Sequence, residues 1–167
     1  MPLTMHAMTV DGFAPMLESL SGLLDKAKPG MIEARLAPDM YTLAQQVMLA
    51  CHHAQDAFAR LTGRPPHQPG EPATSLPAMK AQIAEAAAAL QAADASAFDG
   101  AETRDCSIDI PGNQVIAMNG EQFLRAWAIP HFYFHLVTAY DILRHQGVAL
   151  GKPDYLSAIG RFIRPKA

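Results

Sequence analysis

Cysteine is nearly absent from this sequence. Of 167 residues only Cys51 and Cys106 carry thiols, in different segments and without CxxC or zinc-finger spacing. That excludes a disulfide framework and a zinc ribbon, and leaves two small buried or half-buried thiols. A basic excess is lacking too. Lys plus Arg number 13 against 16 Asp plus Glu, a net charge of −3, which argues against a broad nucleic-acid surface. No uncharged apolar run reaches the roughly 18–20 residues that a membrane span needs. The opening MPLTMHAMTVDGF has no basic start followed by an apolar core, so no signal peptide is expected. These absences point to a cytoplasmic protein with reduced thiols and neither nucleic acid nor membrane as partner.

Familiar catalytic signatures are missing as well. There is no GxSxG, no P-loop and no GxGxxG. Ser19, Ser21 and Ser75 have no His–Asp company, and Cys51 beside His52 is not a dyad merely by adjacency.

What is present is a helical scaffold. Hydrophobic residues make up 50% and charged residues 17% of a length that suits one domain, residues 1–167. Phe13, Met16, Leu17, Leu20, Leu23 and Leu24 recur at three- and four-residue spacing, predicting a first helix from about Asp11 to Lys28, stopped by Pro29-Gly30. A second helix follows Pro38, with Asp39 as its cap and Met40, Leu43, Val47, Ala50, Ala54, Phe58 and Leu61 as its stripe. It ends at Gly63. The stretch GRPPHQPGEPATS cannot continue it and reads as a long crossover. A third, alanine-rich helix spans about Ser75 to Ala93. Ile108 and Ile110, around Pro111-Gly112-Asn113, predict a small β-hairpin that must lean on the helices. The fourth helix begins near Asn119, which with Gln122 forms a capping box, and ends near His145. The tail beyond it reads as an arm or short helix. The expected fold is all-α: a four-helix bundle with a small hairpin between helices three and four.

Histidine is where chemistry could sit. In AWAIPHFYFHLVTAYDILRHQG, Ile129, Phe132, Leu136, Ala139, Tyr140 and Leu143 gather on one side of the fourth helix. His131, His135, Thr138, Asp141 and His145 gather on much of the other, with Trp127 and Phe134. Histidines at i and i+4 point the same way from successive turns, so two neutral imidazoles can share one divalent metal, with a third ligand from another helix. The alternative is two half-buried histidines hydrogen-bonded to carbonyls or carboxylates. Pro130 clashes with the carbonyl four residues back, so a kink there would free the carbonyl of Ala126. The third ligand could be His52 or His53, in LACHHAQDAF. Periodicity puts His52 on the exposed side with Met48, Gln55 and Asp56, and His53 on a flank of the apolar stripe. Asp56 or Asp141 could orient an imidazole. His6 and His67 are expected to be solvated, and His145 suits a helix C-terminus.

The blocks ARLAPDMYTLAQQV, FDGAETRD, PHFYFHLVTAYDILRHQGV and LGKPDYL resemble the domain-of-unknown-function 1993 branch of the DinB-like, YfiT-like metalloenzyme superfamily. The resemblance covers nearly the whole chain. It implies an up-down-down-up four-helix bundle, often dimeric, with a divalent metal on one histidine of the second helix and an HxxxH of the fourth. Carried onto this chain, those ligands are His52, His131 and His135, holding Zn, Ni, Fe or Mn. The resemblance also implies thiol-linked transferases or isomerases that use a low-molecular-weight thiol, with the small-molecule substrate open. Many members of the branch carry Asn at the position of His131 and Asp or Asn at that of His52, so this chain departs from them by having all three histidines. Such degenerate members imply the other expectation, a non-catalytic homodimer or small-ligand-binding domain whose polar stripe lines an interface or pocket.

Overall fold

The computed structural model describes residues 3–166. Its frame is four helical rods. The first, α1 (Gly12–Leu24), is entered through a π-helical turn, Ala7–Asp11. It therefore begins before the expected Asp11 and ends before Lys28. Its last turn tightens into i→i+3 bonds, with Asp25, Lys26 and Ala27 donating to the carbonyls of Gly22, Leu23 and Leu24. Phe13, Leu17, Leu20, Leu23 and Leu24 are buried, as their spacing requires.

The second rod, α2 (Leu43–Leu61), starts later than expected, and its cap is Thr42 rather than Asp39. Thr42 Oγ1 accepts from the backbone N of Gln45, and Gln45 Oε1 accepts from the backbone N of Thr42, at 3.2 and 2.9 Å. This reciprocal box satisfies two orphan donors at once, whereas a lone Asp satisfies one. Ala37–Met40 instead forms a turn, closed by Met40 N donating to Ala37 O. The α2 stripe is as read from Leu43 onward: Leu43, Val47, Ala50, Ala54 and Leu61 are fully buried. Gly63, at φ 73°, takes the left-handed conformation that ends the helix.

The Pro-rich segment then runs back along α2 to α3 (Leu76–Gln91), which Ser75 caps by accepting from the backbone N of Ala78. Residues after α3 meet the far end of α2: Phe98 packs against Phe58, and an Arg104 guanidinium donates to the carbonyl of Leu61. Helices α2 and α3 are therefore parallel. The hairpin follows, β1 (Ile108–Ile110) and β2 (Gln114–Ile116), antiparallel with Ile108 opposite Ile116. It is tied to α2 by Arg60 donating to Ser107 O.

The last rod is continuous but not uniform. It comprises α4 (Gly120–Phe123), a π turn (Leu124–Ala128) and α5 (Ile129–His145). Asn119 and Gln122 form the expected box. Gln46 of α2 meets His135, and His53 meets His131, so α5 runs antiparallel to α2. The order is up-down-down-up. Beyond it, α6 (Lys152–Tyr155) and a 3-10 stretch (Ser157–Phe162) return to α1 through Lys26–Asp154 and Ser19–Ser157 contacts, each at 2.7 Å. Cys51 and Cys106 are both buried and unpaired with each other. Among the described residues no helix is long and apolar enough to cross a membrane.

Gly120 marks a close approach that periodicity does not show. A Cβ added there would lie 1.9 Å from Ala101 O and 3.0 Å from a Leu61 methyl. Gly120→Ala is expected to lower unfolding stability by about 3 kcal/mol, since backbone cannot yield as a side chain does. Gly22→Ala, in the last turn of α1 with nothing within 4 Å, should instead gain up to about 1 kcal/mol. Urea denaturation of both variants reads the opposite signs.

Candidate functional site

The seam between α2 and α5 collects four histidines, and the Pro-rich crossover adds a fifth. On α5, His131 and His135 stand on successive turns, facing α2. His135 is 7% exposed and Thr138 beside it 6%, so this part of the polar stripe of α5 faces inward, whereas Phe134 and His145 on the same side are exposed. On α2, the His53 ring stacks on both, with centroids 4.7 Å from His131 and 5.3 Å from His135. His52 lies 5.0 Å from His53, and its Nδ1 is 3.1 Å from Nδ1 of His67. The structure thus brings His53 against both His131 and His135. His52 adjoins that group through His53 while bonding to His67.

Two backbone facts place the α5 pair. Pro130 has no N–H to donate and crowds the carbonyl four residues back. The π turn immediately before it widens the helix at that point. The carbonyl used by His131 is that of Trp127, not Ala126, at 2.8 Å from Nδ1. A carbonyl only accepts, so Nδ1 of His131 donates in this bond and its Nε2 takes no part in it. His135 repeats the arrangement with a side chain: its Nδ1 lies 2.7 Å from Oε1 of Gln46, which is 1% exposed. Both histidines of the HxxxH therefore have Nδ1–H tied down and Nε2 free to accept or ligate. Trp127 lies against the His131 ring at 4.3 Å, and Phe134 meets His135 edge-on at 5.3 Å. An open depression of about 410 Å³, lined by Pro130, His131, Phe134 and His135, gives solvent a way in.

Burial sets the charge. It pushes the imidazole of His53 down to about 3, helped by His52, His131 and His135 around it. It pushes His135 down to about 4, with His131 and His52 adding to the effect. His52 is lowered also, chiefly by burial. These rings are neutral at pH 7, the form in which imidazole ligates. Cys51, one residue from His52, is pushed up to about 12 by burial and so stays a thiol.

Two expectations need correction. His67 is not a solvated loop residue, and His52 is not on an exposed face; both are half-buried against each other. The cause is Asp56, whose two carboxylate oxygens accept from Arg60 Nε at 2.8 Å and from the backbone N of His67 at 3.0 Å. That pins the crossover over α2. Asp56 consequently orients a loop rather than an imidazole. Gln46 is the residue that sequence reading missed. Its signal was a polar side chain on the buried flank of α2, two turns before His53. His145 is exposed at the end of α5. Among the described residues, no group of three or more His, Cys, Asp or Glu side chains stands ready to hold a metal ion; the rings stack rather than converge.

Residues 5–156 match the model of a family described as a domain of unknown function, DUF1993. The solved structure of a DinB family member protein from Shewanella denitrificans is similar throughout, at 36% identity and a TM-score of 0.81, covering 97% of this chain and 94% of that one. No curated protein matches.

The depressed imidazoles carry a stability signature. In the unfolded chain they protonate near 6.5; in the folded protein His135 does so near 4 and His53 near 3. The unfolded state binds more protons across that window, so stability falls as pH drops from 6.5 through 4 toward 3. In chelator, the urea midpoint of the wild type should fall over this range, and His53→Phe should flatten the dependence.

Proposed function

Since the chain belongs to the DUF1993 family of DinB-like helical proteins, we propose that it binds a divalent metal through Nε2 of His131, Nε2 of His135 and one imidazole of α2. The observation that carries this reading is that Nδ1 of each ring faces an oxygen, at 2.8 Å from Trp127 O and 2.7 Å from Gln46 Oε1. Backbone and Gln46 oxygens hold the proton on both Nδ1 atoms, leaving paired lone pairs on successive turns of one helix. The donor chemistry fits Zn, Ni, Fe or Mn, which accept neutral imidazole. The family resemblance nominates His52 as third ligand. His53, whose ring lies against both members of the pair, is the competitor. Either ring must turn to aim a nitrogen at the pair, because the imidazoles lie stacked.

A divalent ion held there would supply Lewis acidity, making a thiol or water more acidic. The chain's own residues do the rest. Gln46 and the Trp127 carbonyl fix ring orientation, Trp127 and Phe134 pack against the two rings, and the open depression over Pro130 admits a small molecule. A low-molecular-weight thiol is the co-substrate class that the resemblance favours, and a transferase or isomerase the matching reaction type.

A second reading rests on a different observation. Phe134 is 56% exposed and Val137 39%, on the outer face of α5 next to Pro130. That apolar strip suits an interface between two copies, with the histidines lining it. A protein that stays monomeric at all concentrations by light scattering contradicts the dimer reading.

Tag-free protein dialysed against a slight excess of Zn, Ni or Mn is expected to retain about one equivalent by elemental analysis. His131→Ala/His135→Ala should retain less than about a tenth. Gln46→Leu should weaken affinity about 10- to 100-fold, as loss of an outer-shell partner does. Comparing His52→Ala with His53→Ala identifies the third ligand. Wild type that retains less than a tenth of an equivalent of every ion overturns the reading.

A further inference from the structure

A second polar recess lies away from the α5 pair, between α2, α3 and the returning crossover. It is a cleft of about 190 Å³, lined among others by Cys51, His52, His67, Gln82 and Glu85. Its hydrogen-bonding inventory is one-sided. Gln82 Nε2 donates to the carbonyl of Glu71 at 2.9 Å. A backbone carbonyl accepts only, so that bond fixes the orientation of the amide. Gln82 Oε1 is then left buried with no hydrogen-bond partner among the described residues. Such orphan acceptors are rare in folded proteins and call for an explanation. Glu85, one turn along the same helix, adds a carboxylate. His52 and His67 share one Nδ1–H···Nδ1 bond, so whichever ring donates has a lone pair left on its Nε2. The guanidinium of Arg60, on the same helix as His52, is already paired with Asp56. Among the described residues that line it there is no Lys or Arg, so the cleft offers acceptors and a carboxylate.

We propose that this cleft binds the N–H-bearing cationic head of a small molecule, an alkylammonium or a guanidinium. The volume suits it. One water occupies about 30 Å³ of liquid, so the space holds on the order of six water-sized groups, enough for a head of four or five heavy atoms. Recognition needs both the charge, met by Glu85, and the donors, met by Gln82 Oε1 and an imidazole nitrogen. No metal is required.

The test is an NMR titration of the His52 and His67 ring signals, run in chelator so that it stands apart from the α5 pair. Methylguanidinium and methylammonium are the probes. Tetramethylammonium, which has charge without N–H, and urea, which has N–H without charge, are the controls. The expected result is saturable shifts with one or both probes, at least about tenfold tighter than either control. Which probe binds tighter identifies the head group. Gln82→Met and the surface variant Glu85→Gln should each weaken binding about tenfold. Glu85→Gln carries the test alone if Gln82→Met fails to fold. Shifts that do not saturate below about 100 mM, binding equal to that of a control, or binding unchanged in Glu85→Gln would overturn the proposal.

Discussion

Pro130 cannot donate a backbone hydrogen bond, and the rest of the seam follows from how the helix absorbs that. A regular α-helix would set the Pro130 ring against the Ala126 carbonyl. The π turn at Leu124–Ala128 relieves the crowding and leaves the carbonyl of Trp127 within reach of the His131 ring. One turn on, the same helix delivers His135 to Gln46. The prolines recur as a device: Pro15 of α1 also follows a π turn, Ala7–Asp11. In both rods the widened turn lets a proline remain inside a helix without breaking it.

Burying imidazoles between two helices is unfavourable unless their polar atoms are met. Two rings of the belt are met by oxygens, and two by each other. The ring of His53 packs on its neighbours by stacking and makes no side-chain hydrogen bond among the described residues. It also has the most depressed imidazole of the belt. The belt is therefore a seam of imidazole nitrogens in an otherwise apolar bundle. The knot that closes its outer end is ionic: Asp56 and Arg60 are 8% and 17% exposed, one helical turn apart, and together they tie α2 to the crossover and the hairpin.

Much of this was legible in the chain. The stripes of α1 and α2, the Ser75–Ala93 helix, the Pro-Gly-Asn hairpin and the Asn119–Gln122 box all lie where local pattern puts them, because each depends on residues within a few positions. The HxxxH pair was legible for the same reason. The cap of α2 is Thr42 rather than Asp39 although both signals are equally local, because Thr42 with Gln45 forms a reciprocal box and Pro38-Asp39, three residues earlier, lies in a turn. His67, Gln46 and the closeness of Gly120 to Ala101 were not legible. Each depends on a partner 11 to 89 residues away, and no periodicity encodes which loop returns over which helix face.

The sequence by itself determined the elements, their caps and breaks, the family, and the shared face of His131 and His135, since side-chain direction along one helix follows from 3.6 residues per turn. Only the tertiary structure decided which imidazole of α2 meets that face, which oxygen holds each ring, and that the exposed side of α2 is covered. Those outcomes depend on helix rotation and loop path, which are set by packing across the whole bundle. A rotation of one residue on α2, about 100°, distinguishes His52 from His53, and no local rule resolves that angle.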